Sequence, residues 1–188
     1  MSNETQAAVN VAPIVPPAPV KIDLGCGPNK REGFIGIDIR QFPNVDIVCD
    51  LGMDRWPWND GTVDEAHASH FVEHLEPDQR IHFVNELHRV LKKGGKCQII
   101  TPHWASSRAI GDLTHKWPPV GEFWYFYLNA EWRKANAPHN DGYTCDFDAT
   151  WGYGVRQDLS IRGAEFQQFA LANYKEAAQD LVATVTKR

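Results

Sequence analysis

The segment Asp23-Leu24-Gly25-Cys26-Gly27-Pro28 constrains this chain more than any other. It closes a short apolar run at 20–24, and its two glycines let the backbone bend sharply and approach a ligand closely. A glycine turn straight after a buried strand is how an open α/β sheet builds a binding edge. Further short apolar runs follow at 34–39, 45–51, 63–69 and 96–101, each punctuated by Gly, Pro or Asp. Runs of this length and bounding read as strands buried in a sheet. Between the glycine turn and the second run there is room only for residues 29–32, so the first crossover helix is expected to be missing or reduced to a turn.

The clearest helix follows the fourth run. Pro77 suits a first helical turn, and Glu76 and Asp78 place negative charge at its N-terminus. Ile81, Val84, Leu87, Val90 and Leu91 repeat at three- and four-residue spacing and form one apolar stripe. Arg89, Lys92 and Lys93 supply cations near the end, and Gly94-Gly95 is the expected stop. Later, 147–155 and 181–186 read as strands. Residues 164–178 read as a helix with Phe166, Phe169, Ala170, Tyr174 and Ala177 inward. Strands alternating with helical segments predict an α/β fold with a Rossmann-like, doubly wound sheet of about seven strands.

The chain has 188 residues, enough for a single domain, expected over 20–188 behind a disordered Pro-rich tail at 1–19. A formal net charge of −5 disfavours a protein that lives by neutralising phosphates, so nucleic acid is not the expected partner. No apolar run approaches the ~20 residues of a membrane span, and the N-terminus lacks the pattern of a signal peptide. Cys26, Cys49, Cys97 and Cys145 form no C-x-x-C pair and read as small apolar fillers in a reducing, cytoplasmic setting.

Three polar strand ends share the rim with the glycine turn. Asp38 closes the second strand, where a carboxylate can grip two ribose hydroxyls. Asp50, followed by Leu51, closes the third, where it can meet an adenine edge. Ser69-His70 closes the fourth, beside the point at which ligands of open α/β sheets bind.

At this point the sequence resembles class I S-adenosylmethionine-dependent methyltransferases, and within them the small "type 11" group. The resemblance is carried by Asp-Leu-Gly-Cys-Gly at 23–27, Gly-Phe-Ile-Gly-Ile-Asp at 33–38 and Cys-Asp-Leu at 49–51. Ser-His-Phe-Val-Glu-His-Leu at 69–75 and Arg-Val-Leu-Lys-Lys-Gly-Gly at 89–95 complete it. It covers about residues 20–103. It implies a strand order of 3-2-1-4-5-7-6 with the last-formed strand antiparallel, and S-adenosyl-L-methionine as cofactor. Gly25, Cys26 and Gly27 would border its methionine portion, Asp38 the ribose, and Asp50 and Leu51 the adenine, with Asp23 also among the cofactor-binding residues. Ser69 and His70 would lie beside the sulfonium.

Other readings of the same residues fit less well. A nicotinamide-binding fingerprint would need its third glycine at Lys30, and Asp38 comes too soon for it. His70-Phe71-Val72-Glu73-His74 spells H-x-x-E-H, but His70 is expected at a strand end, off the helical face a zinc motif requires, so no metal is expected. The Asp/Asn-Pro-Pro-aromatic loop of DNA amino-methyltransferases is absent. A cofactor-binding scaffold without catalysis stands as the alternative.

The acceptor is expected to be a small or carbohydrate-like molecule covered by segments after strands four and five. His115, in Asp112-Leu113-Thr114-His115, matches an Asp-Pro-Thr-His-like element of the resembling group, with Leu113 in the proline's place. It is the candidate general base or acceptor contact, since histidine titrates near working pH. The aromatic run Phe123 to Tyr127 is a candidate lid. His67, His82, His88 and His139 are expected to be surface or structural. Nothing in the sequence specifies an oligomeric state.

Overall fold

The computed structural model describes residues 18–188, so all but the last two residues of the expected tail lie outside it. Seven strands form one sheet: β1 (Lys21–Leu24), β2 (Ile35–Asp38), β3 (Ile47–Val48), β4 (Val63–Ser69), β5 (Leu91–Pro102), β6 (Phe147–Val155) and β7 (Ala178–Lys187). Their order is β3-β2-β1-β4-β5-β7-β6. The first five run parallel, and β7 is antiparallel to both β5 and β6. The expected order and the antiparallel last strand are therefore both present.

Among the described residues six α-helices accompany the sheet: α1 (Pro77–Val90), α2 (Ser107–Gly111), α3 (Glu122–Phe126), α4 (Ala130–Asn136), α5 (Gln157–Ser160) and α6 (Ala164–Asn173). The first crossover is a turn, as its few residues dictate, and the next two crossovers carry no helix either. The faces of the sheet differ accordingly. Ile22, Leu24, Ala66, Ala68, Cys97, Ile99 and Leu181 are buried against Phe83, Val84 and Leu87 of α1 and against Tyr125 of α3. On the other face the register aligns Lys21 with Glu65, Lys96 and Thr186, and Asp23 with His67, Gln98 and Thr184. Parallel strands usually read as continuous apolar runs because helices cover both faces. Here they alternate, and cross-strand pairs such as Lys21 with Glu65 at 2.6 Å line the polar side.

α1 starts where the sequence indicates. Gln79 accepts from the Glu76 backbone N–H at 2.9 Å while Glu76 caps the first turn, and Pro77 needs no donor there. Its end differs from expectation. The helix stops at Val90, before Gly94-Gly95, because Leu91 turns extended, is fully buried and pairs with Val63. Burying Leu91 in the sheet outweighs one more helical turn, and Lys92 finds Asp64 across the strands at 2.6 Å. α6 also departs from expectation. It ends at Asn173, and only Ala170 and the later Ala177 are buried, in a small cluster with Leu159. Phe166, Phe169 and Tyr174 are 45%, 52% and 53% exposed. The inward stripe fails because this helix packs beside the sheet edge rather than across the main core.

In place of crossover helices, side chains of α1 hold the β3–β4 connection. Arg89 grips Glu86 through two bonds of 2.7 and 2.6 Å and donates to the carbonyls of Trp56 and Trp58. Glu86 in turn accepts from the Trp56 backbone N–H at 2.7 Å. Replacing Arg89 with Ala strands a mostly buried carboxylate, so a urea melt of Arg89→Ala is expected to show a loss of ~3 kcal/mol. On the far side, Glu122 accepts from His103, Trp104 and the Tyr153 hydroxyl, tying the segment after β5 to α3 and β6. The His103 bond, first among several, holds the Glu122 carboxyl down to about 2. Since the folded value lies below the unfolded one, the carboxylate's stabilisation is complete above about pH 4.5 and disappears as pH falls towards 2. Glu122→Gln is expected to flatten the acid limb of a Tm-against-pH curve in that window and leave it unchanged in shape above pH 5.

Candidate active site at the carboxyl rim

The turn after β1 is built by backbone rather than by side chains. Gly25 and Cys26 both donate to the Ile37 carbonyl, at 2.9 and 3.1 Å, which folds the turn back onto the end of β2. Gly25 has φ +67, and a Cβ there would stand 2.8 Å from Phe71 Cβ, inside that side chain. Gly27, at φ +52, donates to Asp38 Oδ2 at 2.9 Å, and the other oxygen of Asp38 accepts from Arg40 N–H. Asp38 thus fastens the turn to β2. Two backbone bonds leave about half of a carboxylate's acceptor sites open for a ligand's hydroxyls.

Asp23 has a different task. It is buried, accepts from the Arg31 backbone N–H at 2.8 Å and meets His67 Nδ1 at 2.8 Å across β1 and β4. It anchors the short crossover from beneath, and His67 is its structural partner. Asp23, Gly25, Cys26 and Ser69 line one cavity of about 450 Å³, with Arg31 and His67. Burial, reinforced by the charges of Asp23 and Asp38, pushes the Cys26 thiol up to about 11, so it stays neutral. Cys49, Cys97 and Cys145 are buried and unpaired, as fillers should be.

Asp50 accepts from the Gly52 N–H at 2.9 Å, and the Leu51 carbonyl accepts from the Trp56 indole. Asp50 and Leu51 line a smaller, mostly apolar slot of about 200 Å³ with Ile39, Phe71, His74 and Leu75. A flat ring with one polar edge matches that lining.

The largest cavity, about 740 Å³, contains His70 and His115 together with Glu73, His74, Arg108 and Asp112. His70 adopts φ +52, and the Glu73 carboxylate beside it raises its pKa. His115 Nδ1 lies 3.1 Å from the Ala109 carbonyl. A carbonyl can only accept, so Nδ1 carries the proton and Nε2 keeps its lone pair. The His115 loop is held by Lys116 N–H on the Glu73 carbonyl at 2.8 Å. Buried Arg80 completes the clamp by donating to the carbonyls of Val72, Lys116 and Pro118.

The structure brings the residues singled out in the sequence to one rim, but into three cavities. His74 borders both the slot and the largest cavity, while the Phe71 ring stands between the slot and Gly25. Gly27 and Asp38 bond to each other at the rim, and Asp38 keeps open acceptor sites there. The sequence pattern does not mark Phe71, Glu73, His74 or Arg80 as site residues. The H-x-x-E-H spelling drew attention to two of them, and Arg80 carried no signal, because its role is to reach carbonyls far along the chain. The aromatic run gives no lid over the largest cavity. Tyr125 is fully buried in the core, and Phe123, Phe126 and Tyr127 pack their rings on Trp132.

This arrangement, a parallel sheet with a glycine turn, acidic strand ends and an antiparallel last strand, is the fold of class I S-adenosylmethionine-dependent methyltransferases. Residues 32–99 match a family model described as a methyltransferase domain, in agreement with the resemblance seen in the sequence. A S-adenosylmethionine-dependent methyltransferase from Archaeoglobus fulgidus superposes with a TM-score of 0.66 at 19% identity, over 91% of this chain and 87% of that one. A 1,6-didemethyltoxoflavin N1-methyltransferase from Burkholderia thailandensis, solved with bound 1,6-didemethyltoxoflavin and S-adenosylhomocysteine, gives 0.53 at 16% identity, over 89% of this chain and 70% of that one. The [4+2]-cyclase SpnF gives 0.52 at 18% identity, over 90% and 74%, so the fold alone does not dictate the reaction. No curated protein sequence matches the chain.

Gly25 carries two demands at once, a left-handed backbone and space for Phe71. Gly25→Ala is expected to lower stability by more than ~1 kcal/mol, whereas Gly61→Ala, equally left-handed but with open space at its Cβ, should cost less. Paired urea melts decide it, and equal losses would show that the Phe71 contact contributes nothing.

Proposed function

We propose that the chain is a methyltransferase that binds S-adenosylmethionine along the carboxyl rim and methylates a small or carbohydrate-like acceptor in the cavity holding His115. The observation that carries this reading is the Gly25–Gly27 turn fastened to Asp38. That turn and carboxylate sit where the fold presents backbone and acceptor atoms to a nucleoside, next to an apolar slot edged by Asp50. The Asp38 oxygens still have acceptor capacity, and Ile39, Leu51 and Leu75 offer apolar surface for a base, so the residues present suit this cofactor. Asp23 acts from beneath the turn, as a positioning residue.

When bound, the cofactor supplies a methyl group on a sulfonium: the acceptor's lone pair forms the new bond to carbon as the carbon–sulfur pair leaves with sulfur. The chain's own residues hold and orient the two reactants, which by itself can supply several kcal/mol of the barrier reduction. His115 presents the Nε2 lone pair in the acceptor cavity, where it can take the acceptor's proton or hold a group that acidifies it. Expected working place is the cytoplasm, on the reading of the cysteines as reduced thiols.

Calorimetric titration with S-adenosylhomocysteine tests the reading. Wild type is expected to bind in the micromolar range, and Asp38→Ala, with two ribose bonds lost, to bind at least ~100-fold more weakly. Folded wild type that binds no S-adenosylhomocysteine would overturn it and favour a scaffold of the same fold. His115→Ala is expected to keep that binding and lose turnover; full turnover would remove His115 from the chemistry.

A further inference from the structure

Among the described residues one cluster of metal-ligating side chains stands together, Glu73, His74 and His115, with one donor atom of each within 4.8 Å of the others. All three line the 740 Å³ cavity. They come from two segments, the 3-10 turn Val72–His74 after β4 and the loop before α3, which Arg80 and the Lys116–Glu73 backbone bond hold together.

Glu73 is the telling member. It is 4% exposed, and neither carboxylate oxygen has a hydrogen-bond partner. The nearby His70 Nδ1 stands 3.3 Å from Oε1 without hydrogen-bond geometry. Arg80, the buried cation touching the same turn, gives its donors to three carbonyls instead. His70 offsets part of that charge, but no hydrogen bond satisfies either oxygen, and a buried carboxylate left that way is costly unless a cation completes it.

The two histidines are arranged as ligands. His115 donates Nδ1–H to the Ala109 carbonyl. His74 Nδ1 lies 3.1 Å from Thr114 Oγ1, whose own proton goes to Asp112 Oδ1 at 2.7 Å. Thr114 must therefore accept from His74, and each ring keeps its lone pair on Nε2. Metal-binding histidines are oriented by an outer acceptor on the other ring nitrogen, here a carbonyl for His115 and, for His74, a hydroxyl that relays to the Asp112 carboxylate. The backbone N–H of Thr114 also donates to Asp112 Oδ1, so the Asp112-Thr114 pair is itself a rigid turn.

We propose that Glu73, His74 and His115 bind one divalent transition-metal ion, with zinc the best match, at the wall of the acceptor cavity. Two imidazoles and one carboxylate form the three-ligand set that leaves a coordination position open for water or substrate. The sequence-based objection, that His70 sits off the helical face, does not apply, because the third ligand is His115 and not His70. The use of the site rests on the methyltransferase reading: the open position would take an oxygen of the acceptor and lower its pKa, which selects acceptors bearing a hydroxyl or phenol. The existence of the site does not depend on that reading.

The test uses the tag-free full chain, stripped with chelator and titrated with zinc by calorimetry and with cobalt by visible absorption. One equivalent is expected to bind, to raise Tm, and to give cobalt ligand-field bands of low coordination number. Glu73→Gln and His115→Ala are expected to weaken zinc at least ~10-fold, with both variants folded by circular dichroism, and His139→Ala, an exposed histidine elsewhere, to bind as wild type. No stoichiometric binding by wild type, or equal binding by all variants, overturns the site. S-adenosylhomocysteine titrated into the same samples reads the rim separately: its failure beside intact metal binding would count against the proposed function alone.

Discussion

Two carboxylates do the work that helices do in a fully wound α/β sheet. Asp38 holds the glycine turn to β2, and Asp23 holds the end of the same turn to β1 and, through His67, to β4. Without them the first crossover would be ten residues of unsupported loop. With them the rim has fixed geometry, although no helix backs it. Everything proposed for the rim depends on these bonds, because a nucleoside can be gripped only by a backbone that is already in place.

The absence of helices between β1 and β4 has a second consequence, in the partition of the sheet. One face gathers the main apolar core with α1 and α3; the other carries ions and amides in register across four strands. Stability must then come from a single layer of helix-on-sheet packing and from polar networks that bind loops to it. Arg89 with Glu86 and Arg80 with three carbonyls are the two main examples. The first pins the connection that follows Asp50 and Leu51 of the apolar slot, and the second pins the loop that carries His115. Structural arginines and the candidate chemistry are therefore coupled through backbone carbonyls rather than by direct contact.

The glycine turn, the strands and the main helix were legible because their signals are local: apolar runs bounded by turn residues, and a stripe at helical spacing starting from a capped proline. The end of α1 is not legible in the sequence because it is not decided locally. Lys92 to Gly95 look like a helix terminus, yet Leu91 gains more by joining β4 than by closing a turn. The same holds for α6, whose Phe166 and Phe169 look like an inward stripe but meet no sheet. Of the site, the acids at the strand ends were legible as a set, and so was His115, through a short motif. Their grouping into three cavities was not, since it depends on where Phe71 sits.

By itself the sequence determined a seven-stranded α/β domain with a glycine-rich binding edge, since each strand and turn announces itself within a few residues. The tertiary structure alone decided which side chains meet across distant segments. It turned Asp23 into an anchor, buried Glu73 without a hydrogen bond to its carboxylate, and brought His115 to His74 from about forty residues away. The physical reason is that backbone propensity acts over a turn or two, while desolvation and pairing of charges act wherever packing puts them.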